Sequence, residues 1–174
     1  MRRVPKLDRK EIENELKVRG IDLDSEKVCL VGIRGYYSRT YGKPGNDRGV
    51  YDDALFLITP KSFWPFQANT DPSIFRRGIA VLKAGIYDVV KWRHRGQYAA
   101  LQITRDVLKR DGIAGLDTGR HGINFHFGSE LRTWSEGCQT IPRDTWDFFI
   151  TRTYALMDFY KKSSIKYVLL ENDK

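Results

Sequence analysis

At 174 residues with a net charge of +8, the chain is long enough to bury a real apolar core as one domain without disulfide or metal staples. Its 41% apolar and 30% charged residues are ordinary for a soluble globular protein, and no apolar run approaches membrane-spanning length, so stable membrane insertion is not expected. The positive excess favours anionic partners (nucleic acid, an acidic surface or an anionic cell-wall polymer), while its even spread along the chain weakens the nucleic-acid reading.

In chain order, Met1-Arg2-Arg3-Val4-Pro5-Lys6 is basic but no apolar h-region follows, so the expectation is folding in a cytoplasm without a secretory signal. Asp8 and Glu11 have the spacing of a capping box, Ile12 and Leu16 mark one helical face and Gly20 is a stop, which predicts a short helix within 1–22. Residues 27–33 read as a buried strand. Cys29 lies inside it and is expected to act as a small inert hydrophobe. With Cys138 the only other cysteine, no disulfide is expected.

Residues 34–49 are punctuated by Gly, Pro and Asn-Asp and read as a long loop. Its three tyrosines and four basic residues, Arg48 among them, would line a groove for a polar, negatively charged substrate, or the loop is simply solvated. A strand pattern resumes over 50–58. Asp52 and Asp53 are adjacent there and should point to opposite faces, a poor arrangement for acid-base or metal work. Thr59-Pro60 and Trp64-Pro65 read as breaks, and 69–73 as a turn capped by Asn69 or Asp71.

Three more strands are predicted over 79–82, 85–90 and 97–103, with a basic turn at 91–96 containing Trp92 and His94. Val107-Leu108 continues the strand pattern and Asp111-Gly112 turns it. From Arg143 the period changes. Trp146, Phe149, Ile150, Tyr154, Met157 and Tyr160 recur at helical spacing, predicting a helix within 142–162 with these side chains as its core face. A last strand is expected over 165–170. The whole reads as a single mostly β, α+β domain over 1–174, with an N-terminal and a C-terminal helix.

The chemistry concentrates in two pieces, Gly122-Ile123-Asn124-Phe125-His126-Phe127-Gly128 and Trp134-Ser135-Glu136-Gly137-Cys138-Gln139-Thr140. In the first, alternation places Asn124 and His126 on one face and the apolar residues on the other. In the second, Gly137 permits a tight turn before Cys138, and a helix is expected to open just after it. A cysteine is nucleophilic only as the thiolate, so it needs a base, a cation or a helix N-terminus nearby. His126 is the candidate base, twelve positions upstream of Cys138. Ser135 or Glu136 would orient the imidazole, the turn's amides would favour a thiolate and an oxyanion, and His121 is a fallback base. A lowered thiol pKa at Cys138 is expected. No Cys-x-x-Cys or His-x-x-x-His pair occurs, so no metal or other cofactor is expected.

At Ser135-Glu136-Gly137-Cys138 and His126-Phe127-Gly128 the chain resembles the L,D-transpeptidase (YkuD-type) catalytic domain. The resemblance implies a β-sandwich or barrel core, His126 as base, Cys138 as nucleophile and Gly137 in the oxyanion turn. The implied substrate is a peptidoglycan stem peptide attacked at its L-to-D bond. It departs from the family at Glu136, at Gln139-Thr140 and in a shorter His126–Cys138 separation, and hydrolysis and transfer both stay open. The wider chain is similar to small phage and prophage proteins. That similarity implies an endolysin-like hydrolase held in the host bacterial cytoplasm and released to the cell wall.

Two rival readings use the same residues differently. A non-catalytic basic protein would bind nucleic acid or protein through the 34–48 loop and the 92–95 turn. A cytoplasmic amidase would use the Cys–His pair on a small acyl substrate.

Overall fold

In a computed structural model describing residues 4–37 and 47–172, the chain begins with α1 (Arg9–Val18), a short α2 (Leu23–Glu26) and β1 (Cys29–Arg34). Then come β2 (Asp53–Thr59), β3 (Ser62–Ala68), β4 (Ala80–Leu82), β5 (Gly85–His94), β6 (Tyr98–Ile103), β7 (Asp106–Arg110) and β8 (Ile113–Gly119). β9 (Asn124–Phe127), β10 (Gln139–Ile141), α3 (Arg143–Phe159) and β11 (Ser164–Glu171) complete it. The fold is mostly β with helices near each end, as the sequence pattern predicts. The expected groove lined by the 34–49 loop falls largely on residues 38–46, outside the described residues.

Eight strands form one sheet in the order β10-β9-β6-β5-β11-β1-β2-β3, and its two edges meet. Asn69, just past β3, bridges Thr140 of β10, with N–H to O distances of 2.7 and 2.8 Å in the two directions. The sheet is thereby nearly closed into a barrel, which satisfies backbone groups that open edges would leave unpaired. A second sheet runs β4-β7-β8.

All six residues of β1 are buried because both of its faces are covered. One face joins Leu30, Leu55, Leu57, Val89, Leu101, Phe125 and Tyr167 to Trp146, Phe149, Ile150 and Met157 of α3. The other packs Cys29, Val31, Phe56, Ile58 and Val168 under Ile12 and Leu16 of α1. Each such Leu, Ile or Phe contributes about 1.5–3 kcal/mol by leaving water.

Local signals set the ends of α1. The Asp8 carboxylate accepts from Glu11 N–H at 3.0 Å and Glu11 returns the bond to Asp8 N–H at 2.8 Å. At the other end Ile21 N–H reaches Leu16 O and Gly20 N–H reaches Lys17 O, both at 3.0 Å, the Schellman pattern, with Gly20 at φ +72°. The helix is therefore Arg9–Val18 within the predicted 1–22, and the C-terminal one Arg143–Phe159 within 142–162.

Three local expectations are corrected, and one further strand appears. Trp64-Pro65 does not break the chain; it lies inside β3, an end strand of the sheet, where proline's missing donor is tolerated. The exposed stretch 113–119 forms β8 without an apolar run. β5 continues to His94, shrinking the turn to residues 95–97. The Gly137-Cys138 turn opens β10 rather than a helix, and α3 begins only after Pro142.

Candidate active site

β9 and β10 pair in parallel, with Phe125 beside Gln139 and His126 beside Thr140. Phe125 packs edge-on to Tyr167, whose hydroxyl donates to Gln139 Oε1 at 2.9 Å, so this pair points into the core. Alternation then puts Asn124, His126 and Thr140 on the opposite face, and Cys138, just before β10, sets its Sγ against Asn124 N–H. The register sets Cys138 two positions before Thr140, the partner of His126, so the two residues singled out for chemistry lie on neighbouring chain segments although they are twelve apart in sequence.

The turn before Cys138 is held by Ser135. Its hydroxyl accepts from Gly137 N–H at 3.0 Å and donates to Cys138 O at 2.6 Å, while Ser135 N–H donates to Ser73 Oγ at 2.5 Å. Gly137 takes φ +139°, and a Cβ there would sit 2.8 Å from Ala80 O, so only glycine fits without a shift. Ser135 is thus a turn-builder rather than an imidazole orienter. The Gly137 amide, expected in an oxyanion site, is committed to Ser135 Oγ at rest.

Cys138 Sγ accepts from Asn124 N–H at 3.4 Å and lies 4.0 Å from Gly122 O. Burial raises the thiol above its ordinary range; the Asn124 bond and the Arg95 charge oppose that rise. This corrects the expected lowered pKa. The cause is the absence of a helix N-terminus at Cys138 together with the loss of water around the sulfur. The resting group is a neutral thiol.

His126 is its counterpart. Its Nδ1–H donates to Phe127 O at 2.8 Å, which leaves the Nε2 lone pair free to take a proton. Burial lowers its pKa to about 4, against the carbonyl bond and with help from the charges of His94 and Arg95, so it is neutral near pH 7. No hydrogen bond joins His126 to Cys138 among the described residues.

Sequence reasoning missed His94 as part of the site. Its ring lies 4.6 Å from that of His126, centroid to centroid. A chain of bonds fixes it: Arg120 donates to Gln102 Oε1 at 2.7 Å, Gln102 Nε2 to Asn124 Oδ1 at 3.0 Å, and Asn124 Nδ2 to His94 Nδ1 at 3.1 Å. Asn124 therefore touches both halves of the site, through its backbone and its side chain. The only sequence signal was that Trp92, His94, Gln102 and Asn124 occupy even positions, which the register of β5, β6 and β9 lines up.

The other candidates are placed elsewhere. His121 is held between two carboxylates, Nδ1 at 2.5 Å from Asp106 and Nε2 at 3.1 Å from Asp117, so neither nitrogen is free to serve as a base. Glu136 is exposed and pairs with Arg76 at 2.9 Å, away from any imidazole. Arg48 is bidentate to Asp111 and also donates to Ile74 O at 3.0 Å, a structural clamp between loops. Surface grooves of about 560, 590 and 680 Å³ are lined by other residues, Arg48 among them, and neither Cys138 nor His126 borders these. Leu131 and Trp134, in the loop between β9 and β10, are exposed.

Beside the closure of the barrel lies a buried polar knot. Arg34 bonds Asp71 at 3.0 Å, and Asp53 accepts from Gly35 N–H, Thr70 N–H and Thr70 Oγ–H. Asp52 and Asp53 are both fully buried and have separate partners, Asp52 accepting from Asp47 N–H and Asp53 from Gly35 and Thr70. Among the described residues, no group of three or more His, Cys, Asp or Glu is arranged to hold a metal ion. Compared with protein-family models and with curated proteins, the chain matches none.

Proposed function

We propose that the chain is a cysteine-dependent acyl-transfer enzyme acting on peptidoglycan stem peptides, cleaving an L-to-D bond in the manner of a phage endolysin. One observation carries this reading: Cys138, just before β10, sets its neutral thiol against Asn124 N–H of β9, and two residues along β9 stands His126, neutral, with Nδ1–H held by Phe127 O and its Nε2 lone pair free. The resemblance at Ser135–Cys138 supplies the substrate class. The net charge of +8 favours an anionic wall. In this reading the protein gathers in the host cytoplasm and works at the wall after release.

The chemistry follows from the resting protonation states. Nε2 of His126 takes the thiol proton as Sγ bonds to the scissile carbonyl carbon. The tetrahedral intermediate then collapses, the C–N bond breaks, and the imidazolium gives its proton to the departing amine. Water, deprotonated by the same imidazole, attacks the thioester and regenerates the thiol; an amine in place of water would form a cross-link. Substrate has to draw the thiol and imidazole into line, because no hydrogen bond joins them at rest, and such bonds commonly tighten only in the complex. The absence of that bond also favours a second reading, a basic binding protein that does no chemistry.

Muropeptide mass spectrometry separates the two. New products with wild type, lost in Cys138→Ala, support the enzyme, and their masses distinguish water from amine as acceptor. Identical muropeptides with both proteins, alongside salt-sensitive nucleic-acid binding that survives Cys138→Ala, would favour the binding protein.

A further inference from the structure

A guanidinium can only donate hydrogen bonds, and at Arg120 that sets the direction of every bond in the chain it begins. Arg120 Nε and Nη2 lie 3.2 and 2.7 Å from Gln102, so that amide has to present Oε1 to the arginine and Nε2 to its other side. Nε2 donates to Asn124 Oδ1 at 3.0 Å, which turns Asn124 Nδ2 toward His94 Nδ1 at 3.1 Å. Meeting an amide N–H, His94 Nδ1 has to carry the lone pair. Burial and the Arg95 charge lower the pKa of His94, so the ring is neutral near pH 7 and its one proton sits on Nε2.

His126 holds the reverse arrangement, with Nδ1–H on Phe127 O and the lone pair on Nε2. The two rings touch, 4.6 Å between centroids and tilted by 32°, and Tyr98 of β6 touches His94 at 5.4 Å. Two neighbouring imidazoles thus offer opposite chemistry at Nε2, an acceptor on His126 and a donor on His94. His94 is half-buried, and its Nε2–H has no partner among the described residues. Two backbone amides of the site are already occupied, Gly137 N–H by Ser135 Oγ and Asn124 N–H by Sγ.

A carbonyl that bonds to Sγ while His126 takes the thiol proton lies against His126, and a group in contact with that ring borders the same space. Resting on the acyl-transfer reading, we infer that His94 is a further catalytic residue, its Nε2–H hydrogen-bonding the oxygen of the scissile carbonyl as that oxygen becomes negative. Arg120, Gln102 and Asn124 are positioning residues that keep the proton on Nε2. His94 stays neutral throughout, and His126 alone carries the proton from thiol to amine.

Two measurements test this. Long-range proton–nitrogen NMR of the isotope-labelled protein near pH 7 reads each tautomer without substrate. Wild type should show His94 with its proton on Nε2 and His126 with its proton on Nδ1. Gln102→Glu replaces the amide donor by an acceptor, so Asn124 should turn Nδ2 to the new carboxylate and Oδ1 to His94, moving the His94 proton to Nδ1. A wild-type His94 protonated on Nδ1, or one that does not switch in Gln102→Glu, overturns the relay. The second measurement is the rate of acyl-adduct formation on Cys138 with purified stem peptides. His94→Phe keeps a ring but has no donor and should slow acylation about 100-fold. His94→Gln can still accept from Asn124 and donate to substrate, and should recover most of that loss. The loss should be confined to acylation and spare alkylation by iodoacetamide, which develops no oxyanion. Acylation of His94→Phe at the wild-type rate, equal losses in acylation and alkylation, or no recovery in His94→Gln overturns the donor role. If the wild type forms no adduct while its tautomers are as stated, the acyl-transfer reading falls and the His94 assignment falls with it.

Discussion

Asn124 donates its backbone N–H to Cys138 Sγ at 3.4 Å while its side-chain amide holds His94. One residue thus couples the thiol to the hydrogen-bond chain that begins at Arg120. Because the backbone donor does not depend on the side chain, the two functions separate by mutation. Asn124→Leu should leave the sulfur contact but strand Gln102 Nε2, which is buried, without an acceptor. The expected loss is about 1–3 kcal/mol in urea denaturation, and catalysis should fall without vanishing.

His126 sets the pH response of the proposed reaction. With its pKa lowered to about 4, the neutral base persists well below the range of an ordinary histidine. The acid limb of kcat/KM should therefore fall near pH 4 rather than near pH 6.5. An acid limb close to 6.5 would place the imidazole in water instead. Folding stability is linked with a definite sign. The unfolded chain binds the proton first, so this group's contribution is complete above about pH 6.5 and declines as pH falls toward 4, with a slope near 1.4 kcal/mol per unit. His126→Phe should remove that slope in thermal or urea unfolding.

Asp52 should produce the opposite slope. Burial, with the neighbouring charges of Asp53 and Asp71, pushes its carboxyl up to about 8, and its Oδ1 has no partner. Burial raises Asp53 as well, while its donors and Arg34 act against that rise. A folded-state pKa above the unfolded 3.8 means the contribution is complete below about pH 4 and is lost as pH rises through 8. Asp52→Asn, which carries no charge to bury, should abolish this decline between pH 4 and 8. An unaltered decline would assign it to other groups.

Gly137 admits no side chain. Gly137→Ala combines φ +139° with a Cβ 2.8 Å from Ala80 O, so the turn must move. A loss of about 1–3 kcal/mol is expected by thermal unfolding, with slower alkylation of Cys138 as the turn that presents it shifts.

What could be read from the sequence was what depends on neighbours a few residues away. The caps of α1, the continuous apolar runs of β1 and β6 and the helical stripe of α3 were all legible, because burial imposes their periods. β3 was hidden because Pro65 reads as a break unless its position at the sheet end is known. β8 carries no apolar run, and β10 is only three residues long, so the turn after Gly137 looked like a helix start. In the site, His126 and Cys138 were visible as residue types. His94 was not, since its place beside His126 depends on β5 extending to the hairpin tip and on Asn124 reaching across from another strand. The environment of the sulfur was misread for the same reason: its pKa is set by tertiary burial, which local sequence does not encode.

The central claim is that Cys138 forms a thioester with a stem peptide after His126 removes its proton. The most direct measurement is acid-quenched mass spectrometry of the intact protein, seconds after mixing with purified stem peptides, followed by peptide mapping. An acyl adduct on Cys138, absent from Cys138→Ala and strongly reduced in His126→Ala, is the predicted result. A wild-type protein that stays unmodified while the stem peptides stay whole, or that cleaves them equally well as Cys138→Ala, would contradict it.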